Sequence, residues 1–129
     1  MIFDVKMTLT CKDRLVAGGH TTVAPSSITC SSVVSSDSVR IAFIIAGINE
    51  LKVSACNIFN AYFNAKCREM IWSIAGPEFP PEWQGKPVKI LRALYGLKSS
   101  GASWWAMFSK TLVEELQFQN SQADPHVWI

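Results

Sequence analysis

The stretch Arg92 to Trp105, RALYGLKSSGASWW, joins a strand signal to a helix signal. Before it, Val88 to Leu91 reads as a short strand. After it, Ser99 or Ser100 offers a cap for a helix running to Phe118. Trp105, Phe108, Leu112 and Leu116 recur at spacings of three and four, which lines one helical face with apolar side chains. Trp105 is therefore expected in a core.

Working outward, Gly76 to Pro87 holds four of the six prolines and reads as a loop. Arg68 to Ser73 (REMIWS) is expected to be a strand. Leu51 to Cys56 alternates as a strand should, and parity carries Asn57 onto the face of Leu51, Val53 and Ala55. Asp37 or Ser36 is expected to cap a helix that runs to Glu50. That helix is apolar nearly all round, which predicts burial deep inside a larger core. The Ser- and Thr-rich residues 21–36 read as a packed loop, with Ile28, Val33 and Val34 to bury. Residues 2–8 and 13–18 alternate around Cys11-Lys12 and suggest a hairpin. The end, Asp124 to Ile129, turns into a strand and stops, as expected of a piece of something longer. No internal repeat is evident. The order of elements predicts an α+β fold, a mixed sheet with its helices packed mostly on one face.

Composition narrows the function classes. A chain of 129 residues suits one domain. A net charge of +2 permits an acidic partner without arguing for nucleic acid. Cys11, Cys30, Cys56 and Cys67 form no C-x-x-C pair, and His20 and His126 lie far apart, so free thiols are expected rather than zinc. The first residues, MIFDVKMTLT, are too charged for a signal peptide, and Ile41 to Ile48 is too short to span a bilayer. An intracellular chain with no membrane partner is expected; the compartment is left open.

Four stretches line up in order: CKDRLVAGGH (Cys11 to His20), SVVSSDSVRIAF (Ser32 to Phe43), CNIFNAYFNA (Cys56 to Ala65) and RALYGLKSSGASWW. With GPEF and the closing ADPHVWI, they resemble the reverse transcriptase of copia-type LTR retrotransposons. Leu-Tyr-Gly-Leu-Lys before a Trp-bearing helix is the most specific element, and the resemblance covers nearly the whole chain. It implies a partial right-hand polymerase fold, fingers-like over about residues 1–50 and palm-like over 51–129, encoded within a pol polyprotein. The family activity is RNA-directed DNA polymerisation.

The resemblance also assigns residues. Lys12 and Arg14 match the basic pair that faces the incoming triphosphate; alternate strand positions point the same way, and Arg suits phosphate oxygens. A solvated edge strand is the alternative for that pair. Tyr62 matches the aromatic gate beneath the nucleotide sugar. Tyr95 and Gly96 match the turn lining the nucleotide and template. Lys98 is either a phosphate contact or a surface lysine. Trp104 and Trp105 could form a base-stacking platform, although the apolar stripe favours core for Trp105.

Asn57 stands where the family has its first metal-binding aspartate. An amide oxygen brings no negative charge, and at a contact of about 2 Å a charge is worth several kcal/mol. Active members use Mg²⁺, but no cofactor is expected for this chain. Phe59 replaces a usual glycine or lysine, and Asp13 sits between the basic pair. The family's aromatic-x-Asp-Asp motif would lie downstream of ADPHVWI, and these residues contain no Asp-Asp pair. The expectation is an inactive fragment. Its partners would be RNA or DNA template–primer, dNTP and the remaining polymerase segments. The alternatives are a non-catalytic nucleic-acid-binding module, with Lys12, Arg14, Lys86, Lys89, Arg92 and Lys98 as phosphate contacts, and a chain with no selected function.

Overall fold

The computed structural model describes residues 2–5, 7, 9–20, 22, 29 and 31–129, with the backbone alone for Phe3, Asp4, Lys12 and Asp13. Its elements are β1 (Ile2–Val5), β2 (Cys11–Arg14), α1 (Ser36–Ile48), α2 (Ala61–Asn64), β3 (Trp72–Ile74), β4 (Pro87–Lys89) and α3 (Ser100–Glu114). The α+β class is as expected. The sheet is not one layer but two antiparallel pairs, β1 with β2 and β3 with β4.

Two compact units divide the chain. The first comprises Met1–Cys30 and Asn60–Trp105, and the second Ser31–Phe59 and Ala106–Ile129, so α3 contributes to both.

In the first unit, β1 and β2 pair with Ile2 opposite Arg14 and Val5 opposite Cys11. Cys11 and Lys12 thus lie inside a strand rather than in the turn, a shift set by how far the ladder extends towards Val5. Val16 then forms a parallel bridge to Tyr95, and the Ala17 amide donates to the Tyr95 carbonyl at 2.8 Å. The β3–β4 hairpin pairs Trp72 with Lys89 and Ile74 with Pro87. Its first strand starts four residues later than REMIWS implied. Residues 68–70 lie outside the hairpin, while Cys67 donates its amide to Leu91 and Lys66 bridges Arg92. Residues 77–85 are turns, as the prolines indicate. Buried apolar residues here are small: Ala65, Ala75 and Ala93, with Leu97. The Ala93 amide donates to the Ala65 carbonyl at 3.0 Å, an approach that larger side chains would obstruct.

In the second unit, α1 is capped by Ser35, one residue before the expected cap; its hydroxyl accepts from the Ser38 amide at 3.0 Å. The helix does not enter a core. Ile41 is 56% exposed, Phe43 59% and Ile48 76%. No helix or strand among the described residues packs against α1, so its apolar surface lacks a second layer. Leu51 to Cys56 forms no strand either. It is irregular and exposed, because alternation specifies a strand only where a neighbour completes the ladder.

In α3, Trp105 and Phe108 are half-buried and Leu112 is buried, but Leu116 lies past the helix end and is exposed. The closing strand is a single antiparallel bridge, Asn120 to Trp128, closed by reciprocal bonds between Gln119 and Ile129. Residues 21, 23–28 and 30, half of the predicted packed loop, lie outside the described residues.

Candidate functional site

The asparagines of CNIFNAYFNA have different local roles. Asn60 adopts the left-handed conformation (φ 49°) just before α2, which asparagine tolerates better than most residues. Its carbonyl accepts from the Phe63 amide at 2.9 Å and from Asn64 Nδ2 at 3.3 Å. This turn presents Tyr62, whose ring centroid lies 4.8 Å from that of Tyr95 with the planes tilted by 47°. Two motifs separated by three decades of sequence therefore meet as an aromatic pair. The tail of β2 joins them through the bridge from Val16 to Tyr95.

Gly96 makes that junction tight. Its φ is +92°, and a Cβ there would overlap the Ala17 carbonyl oxygen. A Cβ on Gly19 would in turn overlap the Gly96 carbonyl oxygen. Both glycines let two backbone segments approach within van der Waals reach.

The remaining predicted residues are less gathered. Arg14 ends β2 and is half-buried; Lys12 lies in the same strand, its side chain outside the described residues. Lys98 is exposed, and its ammonium donates to the Thr22 carbonyl at 2.9 Å, so it already serves as a tether. Asn57 belongs to the second unit, the other six residues to the first. Asn57 is exposed on the irregular segment, not on a strand face. The donor set does not fit Mg²⁺. Asn57 offers a neutral amide, and among the described residues no group of three His, Cys, Asp or Glu side chains could hold a metal.

A cleft of about 490 Å³ opens in the first unit, lined mainly by apolar residues including Val16, Phe63, Val88 and Leu97. Tyr62, Tyr95, Gly96 and Lys98 are not among its walls. The Tyr62–Tyr95 pair and Gly96 thus lie outside the lining of this cleft.

Two carboxylates that the sequence reading passed over anchor helix starts. Ser99, the residue before α3, donates its hydroxyl to Glu69 Oε2 at 2.5 Å, while Ser100 turns its hydroxyl to the Leu94 carbonyl. Neither serine caps α3 with its side chain in the manner expected. Asp124 accepts from the Ser35 amide at 3.0 Å and the Ser38 hydroxyl at 2.7 Å through Oδ2, and from the His126 amide through Oδ1. These bonds, led by that from the Ser35 amide, hold the Asp124 carboxyl far below the usual carboxylate range. A helix start favours negative charge, so both placements make physical sense. Sequence alone gave no signal for either, since the partners lie 30 and 86–89 residues away.

Beside Glu69, burial pushes the Cys67 thiol up, and the neighbouring carboxylate adds to the effect. Cys67 should react with a thiol probe near neutral pH more slowly than exposed Cys11 and Cys56. Mass mapping of partial labelling would show this; Cys67 labelled first would contradict it.

The family model described as reverse transcriptase (RNA-dependent DNA polymerase) matches residues 2–129. No curated protein and no solved structure matches the chain. Among the described residues no helix is long and apolar enough to cross a membrane.

Proposed function

The chain belongs to the reverse transcriptase (RNA-dependent DNA polymerase) family, and from that premise we propose that it is a copia-type fragment that binds template–primer but does not polymerise. In this reading residues 1–50 correspond to fingers and 51–129 to part of the palm. Lys12, Arg14 and Lys98 meet phosphates, while Tyr62, Tyr95 and Gly96 border the nucleotide.

The contact of Tyr62 with Tyr95 is the observation that carries the binding half of the proposal. It joins the two aromatic motif residues beside the end of the basic strand, where an anionic, stacking ligand would gain from both. The loss of chemistry rests on Asn57. Phosphoryl transfer of this class needs anionic ligands for its metal ions, and an amide leaves their charge uncompensated.

Purified chain given primer–template, all four dNTPs and Mg²⁺ should extend nothing. Asn57→Asp alone should not restore extension, because no Asp-Asp pair stands among these residues. Extension by the unaltered chain would overturn the inactive reading. Binding is measured separately, as a salt-dependent mobility shift of the same primer–template; absence of binding at low salt would overturn that half.

A further inference from the structure

A serine and a histidine 94 residues apart meet in the second unit, and neither takes part in the reading above. The Ser32 hydroxyl lies 2.5 Å from Nε2 of His126, with Ser32 exposed and His126 half-buried. In a neutral imidazole one nitrogen donates and the other accepts. With its proton on Nδ1, the ring accepts from Ser32 through Nε2. At that separation it can take the hydroxyl proton as a general base.

One carboxylate holds both arms of the pair. Asp124 Oδ1 accepts from the His126 amide at 2.9 Å. Its Oδ2 accepts from the Ser35 amide at 3.0 Å, three residues beyond Ser32, and from the Ser38 hydroxyl at 2.7 Å. Ser35 also caps α1, so the serine arm is tied to a helix start. Two distant segments are thus held with nucleophile and base already in contact, as an oriented pair requires. The same bonds keep the Asp124 carboxyl ionised at neutral pH, and a negative charge beside His126 favours the imidazolium formed when the ring takes a proton.

A free serine hydroxyl is a poor nucleophile, and a positioned base raises its rate by about 10²–10⁴. Ser35 and Ser38 differ from Ser32 in this respect. They hydrogen-bond to each other, and Ser38 also to Asp124, with no imidazole at their oxygens. Because Ser32 is exposed, it meets small electrophiles directly from solvent. The fixed charge of Asp124 disfavours anionic ones.

We propose that Ser32 and His126 form a nucleophile–base pair that hydrolyses small neutral esters. Ser32 Oγ attacks the ester carbonyl carbon while His126 Nε2 takes the hydroxyl proton. That proton passes to the leaving oxygen, the C–O bond breaks, and the alcohol departs from an acylated Ser32. Water then attacks the acyl carbon, giving a proton to the same nitrogen. The proton returns to Ser32 Oγ as the acid leaves, so the sum is ester plus water to acid plus alcohol. Template–primer and Asn57 play no part in this chemistry.

The test treats the intact chain with a fluorophosphonate probe near neutral pH and maps the adduct by mass spectrometry. Thiols are capped with iodoacetamide first, since Cys11 and Cys56 are exposed and would compete in the ester assay below. Ser32 should carry at least about ten-fold more adduct than Ser31 or Ser36, exposed serines of the same run. His126→Ala should lower labelling of Ser32 about ten-fold or more, and added imidazole should restore part of it, which a merely structural loss would not allow. p-Nitrophenyl acetate should acetylate Ser32 and turn over, and Ser32→Ala should abolish that turnover. Unaltered circular dichroism would show that both substitutions leave the fold intact. An unaltered chain with no adduct on Ser32, or with equal adducts on Ser31 and Ser36, would overturn the proposal. Labelling that His126→Ala leaves unchanged would remove the base. An acetyl group that stays on Ser32 without hydrolysis would overturn the second step.

Discussion

Gly96→Ala should lower the melting temperature by more than about 10 °C or abolish cooperative unfolding. Two costs act together at this site. The left-handed backbone (φ +92°) penalises any L side chain by about 1–2 kcal/mol. The new Cβ would also overlap the Ala17 carbonyl oxygen and lie 2.9 Å from Val16 Cγ1. That carbonyl accepts from the Gly19 amide, and the Ala17 amide holds the Tyr95 carbonyl, so yielding at one atom disturbs the whole junction. The sum is on the order of 3 kcal/mol or more, a large share of the margin of a small domain.

Two other glycines separate the causes. Gly85 has φ +76° but open space around a Cβ, so Gly85→Ala should cost only the backbone penalty, about 1 kcal/mol. Gly47 lies inside α1 with nothing near, so Gly47→Ala should be neutral or stabilising by up to about 1 kcal/mol. Thermal melts of the three variants would check the order. A Gly96→Ala shift within about 2 °C would mean that the β2 tail and the YGLK turn do not meet closely.

Asp124→Ala should remove most of the helical signal of α1, a 13-residue helix that makes up about two-fifths of the helix among the described residues. Short helices are marginal in water, and no described helix or strand packs against the apolar face of this one. What remains is the cap: Ser35 from its own chain start, and Asp124 across the sequence. The same group predicts an acid limit. The folded state holds the Asp124 carboxyl well below its ordinary value of 3.8. Its contribution is therefore complete above about pH 4 to 5 and lost progressively as pH falls below that range. Circular dichroism at 222 nm between pH 2.5 and 6 should show the loss, and Asp124→Asn should flatten it. An unchanged acid profile in Asp124→Asn would assign the loss to other carboxylates.

Both predictions concern contacts that were only half legible beforehand. The α+β class, the proline-rich turn and α3 follow from local pattern, since prolines and amphipathic spacing act within a few residues. The hairpin of β1 and β2 follows too, although its turn moved, because register depends on how far the ladder pairs. The family was legible from RALYGLKSSGASWW and CNIFNAYFNA, since those motifs are contiguous. Asn57 was equally plain at the level of identity.

Other expectations failed for one physical reason. An alternating run becomes a strand, and an apolar helix becomes core, only when another element supplies the ladder or the second layer. Leu51 to Cys56 and α1 lack that neighbour among the described residues, so one is irregular and the other exposed. Identity, charge and local periodicity were thus determined by the sequence alone: an amide rather than a carboxylate at Asn57, the lysine and arginine of β2 and the turn glycine at 96. Only tertiary structure decided that Tyr62 lies against Tyr95, that Asp124 closes α1 and Glu69 the start of α3, and that Trp72 stands opposite Lys89. Each of these depends on where distant segments meet, and no window of local sequence carries that distance.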